Sequence, residues 1–202
     1  VAGWRAHGCS AEQCAALQQP DPAALAATLR WLRHPGQQLL GCTGPAFPPL
    51  LQDIPQPPLA LFVAGDASLA WHPAVAVVGS RSPTPTGRAL AARFAGCFIE
   101  AGLAVTSGLA AGIDAAAHAA ALDAGGHTVA VIGTGPDQAY PPGNARLQAR
   151  IAAEGVVLSE YPPGTPARAG QFPARNRLVA GLALATVVIE AAQRSGALIT
   201  AR

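Results

Sequence analysis

Four short stretches hold most of the residues whose types and spacing can do chemistry. In VVGSRSPTPTG, Gly79, Ser80 and Arg81 stand directly after an apolar run. A glycine there lets a backbone approach closely, and serine with the following N–H groups can cradle a phosphate. An arginine can grip the same phosphate with two parallel hydrogen bonds. The stretch is neither Gly-x-Gly-x-x-Gly nor a P-loop ending in Gly-Lys-Ser/Thr, so neither a dinucleotide nor ATP is indicated. A plain turn with an exposed arginine is the alternative. TSGLAAGIDAAAHAAAL offers Ser107 and Gly108, then Asp114 and His118 four apart on one helix face. That pair is half a metal site, an acid–base pair, or simply a carboxylate complementing the helix dipole. No third ligand or nucleophile lies nearby in sequence, which favours the last. GTGPDQAYPPGN is a glycine–proline loop holding Asp137 and Tyr140, where rigidity accounts for Tyr140 and the prolines and Gly133 and Gly135 can line an anion site.

The fourth stretch, FPARNRL, sets Arg175 and Arg177 around Asn176, three residues after Phe172. Between Gly164 and Val179 stand Arg168, Arg175 and Arg177 and no acid. From Arg168 to Arg202 five arginines face the single Glu190, a local +4 in a chain of net charge +2. Phe172 offers a ring on which a base can stack, worth ~1–3 kcal/mol in any sequence context. The two arginines can bind successive phosphates, or one of them pairs structurally with Glu160 or Glu190.

These stretches need elements to position them. From Ala74 onward, runs such as AVAVVGS, LAVTSG, HTVAVIGTG, GVVLSEYPPG and LATVVIEA alternate with helical patterns. Nearly continuous Val, Ile, Leu and Ala is expected of strands covered on both faces. Strand–helix alternation implies right-handed crossovers and a doubly wound, mostly parallel sheet of the α/β class. In such a sheet the strand-to-helix loops all emerge at the carboxyl edge, where ligands bind. Every motif above falls on one of those loops, and the helix starts behind them present backbone N–H groups and a positive dipole end. Spread over several loops, the basic rim is wider than a mononucleotide needs. It suits a single strand better than an enzyme pocket. The first 45 residues differ: SAEQCAALQQ and DPAALAATLRWL read as two short helices, the second capped by Asp21 with Pro22 at its first position. A proline-rich connector follows, with LALFV as a first strand.

Composition sets the outer limits. The 202 residues are 50% hydrophobic and 12% charged, enough for a core and against wholesale disorder. The apolar runs stop well short of the ~20 residues a membrane span needs, and a soluble intracellular protein fits. All 13 basic residues are arginine, matching a GC-rich coding bias that sets the residue used but not where it clusters. Cys9, Cys14, Cys42 and Cys97 form no Cys-x-x-Cys pair and read as small buried or semi-exposed thiols without a disulfide framework or zinc site. The chain begins at Val1 and ends at Arg202 just after SGALITA, which reads as a piece of a longer protein.

Taken in order, VVGSR, SGLAAGIDAAAHAAAL, GTGPDQAYPPGN, LSEYPPG, FPARNRLVAGL and VVIEAAQRSGALITAR resemble the DNA-processing protein A family (DprA, also called Smf) over about residues 59–202. Residues 1–45 resemble the family's small helical, SAM-like N-terminal domain more loosely. The resemblance implies an extended Rossmann-like domain over residues 46–202 that binds single-stranded DNA non-specifically, without catalysis or a cofactor. It further implies a cytoplasmic homodimer that protects incoming DNA and helps load a RecA-type recombinase in natural transformation. By that resemblance Gly79, Ser80 and Arg81 contact phosphates, and Phe172 with Arg175 and Arg177 also contact DNA. Many members carry a basic residue three positions before the phenylalanine; here that position is Ala169, with Arg168 one step away. Ser107, Gly108, Gly135, Arg168 and Asn176 complete the expected binding set. The family continues past the equivalent of Arg202 into a final strand. The competing expectation is a phosphoribohydrolase-like enzyme on a related fold, with Glu190 as acid or base and Arg175 as phosphate clamp. Those enzymes resemble one another through a Pro-Gly-Gly-x-Gly-Thr stretch that EAAQRSGALITA does not supply.

Overall fold

The computed structural model of the chain describes residues 10–192 and 195–200. Cys9, Arg194 and Arg202 lie outside the described residues, so the arginine excess is followed below only through Arg168, Arg175 and Arg177.

Helix α1 (Ala11–Gln18) starts at a reciprocal cap: the Ser10 hydroxyl accepts from the Gln13 N–H, and the Gln13 side chain accepts from the Ser10 N–H. Helix α2 (Pro22–Trp31) has Asp21 as N-cap, accepting from the Ala23 N–H at 2.9 Å. Its last residue, Trp31, meets Phe62 edge-on at 5.9 Å, so this helix packs on the sheet.

The sheet has seven strands in the order β1-β2-β6-β5-β4-β3-β7. They are β1 (Gln37–Gly41), β2 (Ala60–Gly65), β3 (Ala74–Gly79), β4 (Ala104–Ser107), β5 (Thr128–Ile132), β6 (Val156–Ser159) and β7 (Ala185–Ile189). The five strands from β6 to β7 run parallel, while β1 and β2 are antiparallel additions. Residues 37–41 fall within the stretch expected to be a helical head, yet they form the edge strand. LALFV is therefore the second strand and not the first. QQLLG is too short to show a period, and it becomes a strand because β2 presents a free edge beside it.

Between the strands lie α3 (Pro85–Glu100), α4 (Ile113–Asp123), α5 (Ala145–Glu154), α6 (Gln171–Gly181) and α7 (Gly196–Thr200). Alternate residues of one strand serve opposite layers. Ala76 and Val78 pack with Leu178 and Val179 of α6 and with Leu182 just after it, whereas Val77 packs with Ala91 and Ala95 of α3 and Ala117 of α4. Likewise Val156 and Leu158 join the α6 layer, and Val157 joins Ile151 of α5. Two-sided burial is why the strands read as unbroken apolar runs. From β3 the chain lays down β4, β5 and β6 on one side, then returns through α6 to place β7 on the other. That reversal opens a crevice at the carboxyl ends of β3, β4 and β7.

Candidate nucleic-acid interface

A cleft of about 490 Å³ occupies this crevice, and it gathers seven of the expected residues: Gly79, Ser80, Arg81, Gly108, Phe172, Arg175 and Asn176. Asp114 and Glu190 line it as well. Arg81 is exposed on the turn after β3, with no carboxylate within ion-pair distance among the described residues. The Ser80 hydroxyl accepts from the Ser82 N–H at 3.1 Å and shapes that turn. Gly112 (φ +86°) packs beneath it, where a Cβ would lie 2.8 Å from the Arg81 carbonyl carbon, so only glycine suits the conformation and the space. Gly79 lies flush against the Ile113 side chain and the Ile189 carbonyl, and its missing side chain serves packing as well as access.

Arg175 is a different kind of arginine. It is only 4% exposed, and its Nη1 donates to the carbonyls of Gly108 and Val131. Its Nε has no hydrogen-bond partner among the described residues. Burial pushes its guanidinium down to about 10; the Asp114 carboxylate opposes that shift and the charge of Arg81 adds to it. Two guanidinium groups thus line one cleft, and the charge of one disfavours the charge of the other. Gly108 makes the arrangement possible, since a Cβ there would lie 2.6 Å from the Arg175 Cζ. Asn176, one residue on, donates from Nδ2 to the Gly196 carbonyl at 3.3 Å and ties α6 to α7.

Two helix starts, expected to offer open amides, are closed from within. The Thr84 hydroxyl caps α3 by accepting from the Gly87 N–H at 3.0 Å. Glu190, at the end of β7 with φ +51°, accepts from both the hydroxyl and the N–H of Thr84, the latter at 2.7 Å. Those bonds, the hydroxyl first, hold its carboxyl below the usual range. At α4, the Ile113 N–H donates to the Ser80 carbonyl and the Ala110 N–H to Asp114. At these two helix starts the polar groups named are thus taken up within the fold, and the guanidinium groups of Arg81 and Arg175 remain as the positive charges at the cleft.

The remaining expected residues do not join the cleft. Ser107 is fully buried, its hydroxyl donating to the Val77 carbonyl at 2.6 Å across the sheet. Gly135 donates from its N–H to the Thr165 carbonyl and is roofed by the Pro162–Thr165 turn. Arg168 is exposed on the loop before α6. Arg177 turns away to Glu160, which it meets with two hydrogen bonds of 2.5 and 2.6 Å, and also donates to the Gln56 carbonyl. The structural alternative left open for one of the two arginines thus falls on Arg177.

Asp114 and His118 do not form a working pair. Thr128 donates its hydroxyl proton to the Val105 carbonyl, so His118 donates from Nδ1 to Thr128 Oγ1 at 2.7 Å. His118 is fully buried; burial, then Arg175, pushes its ring down to about 3 and keeps it neutral. Burial raises the Asp114 carboxyl, against the pull of Arg175. No group of three metal-ligating side chains exists among the described residues. Tyr140, expected only to stiffen its loop, lies 5.1 Å from Phe172, ring to ring. Nothing in GTGPDQAYPPGN distinguishes it from a loop spacer, because its partner comes from α6.

The family model for DNA recombination-mediator protein A matches residues 38–202. Protein Smf of Synechocystis is 47% identical over 169 residues, which is 82% of this chain and 42% of that protein. DNA processing protein DprA of Streptococcus pneumoniae is 49% identical over 151 residues, 74% of this chain and 53% of that one. The chain spans about half the length of the curated relatives it matches. The solved structure of the pneumococcal protein superposes with a TM-score of 0.85 at 42% identity, covering 96% of this chain and 67% of that one. DNA processing protein A of Helicobacter pylori, described for its single-stranded DNA binding mode, gives 0.73 at 30% identity, over 81% and 74%. With matching motifs, strand order and coverage, this chain belongs to the DNA recombination-mediator protein A family.

Proposed function

We propose that the chain binds single-stranded DNA in this cleft without reading its bases, and does no chemistry on it. The observation that carries this is the convergence of Arg81 and Arg175 on one cleft walled by the Phe172 ring. Guanidinium groups hold the phosphates of any strand, and the ring stacks under any base. Likeness to relatives named for DNA processing, one of them described as binding single strands, supports the same reading. In the whole protein, the bound strand would be protected in the cytoplasm and passed by a homodimer to a RecA-type recombinase.

The test is titration of a labelled thymidine oligonucleotide at two salt concentrations, with duplex as competitor. We expect binding that weakens steeply with salt, survives duplex, and loses about tenfold on Arg81→Ala. Binding indifferent to salt and to that substitution would overturn the proposal. Nucleoside-phosphate hydrolysis is the less favoured reading, because Glu190 as acid or base would have to leave Thr84 and overcome its lowered pKa.

A further inference from the structure

We propose that Tyr140 and Phe172 together form a platform for two successive unpaired bases, carrying the strand out of the cleft and across the loop after β5. The inference rests on single-strand binding as proposed above and extends it to a residue outside the cleft lining. The two rings lie 5.1 Å apart in a tilted contact, inclined by 32°, within the range of a favourable aromatic pair. Phe172 faces the cleft on one side of this arrangement and packs close to Gly133, where a Cβ would lie 3.1 Å from its ring. Tyr140 is 47% exposed, so it presents open aromatic surface. Its hydroxyl has no protein partner among the described residues, and a half-exposed ring contributes little to the core.

The loop is nonetheless held firmly. Thr134 Oγ1 donates to the Gln138 carbonyl at 2.7 Å, the Gly164 N–H donates to Asp137 at 2.7 Å, and Gln148 donates to the Pro136 carbonyl at 3.0 Å. Asn144 closes the far end on the Leu109 carbonyl at 2.9 Å. An exposed ring on a braced loop, packed against a second ring that lines a basic cleft, is preorganised to receive a base at little further ordering cost.

Two measurements test this. In the first, oligonucleotide affinity is compared for wild type, Tyr140→Ala, Tyr140→Phe and Phe172→Ala. We expect about tenfold loss for Tyr140→Ala, the fold-change of a stacked base, and recovery to near wild type for Tyr140→Phe. In the second, wild-type protein is irradiated with strands carrying 5-iodouracil at successive positions. We expect crosslinks to Tyr140 and to Phe172 from neighbouring positions, and this arm stands even if the alanine variant fails to fold. Wild-type binding lost on Phe172→Ala but unchanged on Tyr140→Ala, or crosslinks reaching Phe172 and never Tyr140, overturns the platform while leaving single-strand binding intact. No wild-type binding at all overturns both.

Discussion

Arg81, Arg175 and Arg177 share a side chain and differ in everything around it. Arg81 has its charge open to solvent, Arg175 is buried against two carbonyls, and Arg177 is held by Glu160 with both partners about a quarter exposed. Substituting Arg177 leaves Glu160 half-buried and unpaired and removes the bond to Gln56. Arg177→Ala should therefore lower folding stability by about 1–3 kcal/mol in urea titration while changing DNA affinity less than twofold. Arg81→Ala should do the reverse, with stability within about 0.5 kcal/mol of wild type. Equal effects of the two substitutions on affinity would show that Arg177 leaves Glu160 to hold the strand. FPARNRL alone cannot separate these roles, because the deciding partners lie 17 to 121 residues away in sequence.

The packing of α6 against the turn after β4 creates the floor of the cleft. Its tolerance is set by Gly108, which leaves the guanidinium of Arg175 its place. In Gly108→Ala the new methyl and the guanidinium compete for one volume. The expected result is a loss of about 1–3 kcal/mol of stability together with weaker oligonucleotide binding. Gly96→Ala, on an open face of α3, is the control and should be neutral or stabilising by up to about 1 kcal/mol. A Gly108→Ala protein as stable as wild type would mean that Arg175 has another place to go. At this level the strand–helix alternation from Ala74 onward was readable, since two-sided burial writes itself as unbroken apolar runs. The closed helix starts were not, because Glu190 reaches Thr84 from 106 positions away.

Stability of the entire fold carries the signature of one buried ring. His118 titrates near 3 when folded, against about 6.5 in the unfolded chain. Between those values the unfolded chain takes up a proton that the folded one refuses. Stability from this group is thus complete above about 6.5 and is lost as pH falls below it. Between pH 7.5 and 5.5 the loss should reach about 1.4 kcal/mol. Asp114, whose carboxyl is raised by burial, works in the opposite sense as pH falls through its own range. Urea titrations of wild type and His118→Asn at both pH values isolate the histidine, and the variant should show the shallower dependence. Equal slopes would mean that the ring is protonated in the fold.

The linear chain by itself determined the class of fold, the order of the motifs along the carboxyl edge and the family, since these follow from local apolar pattern and from residues adjacent in sequence. Only the tertiary structure decided which arginines face the cleft, that two of the helix ends behind the loops are already capped, that residues 37–41 complete the sheet, and that Tyr140 stands beside Phe172. Each of those outcomes depends on burial and hydrogen-bond partners supplied from distant positions, and such partners leave no periodicity in the residues they meet.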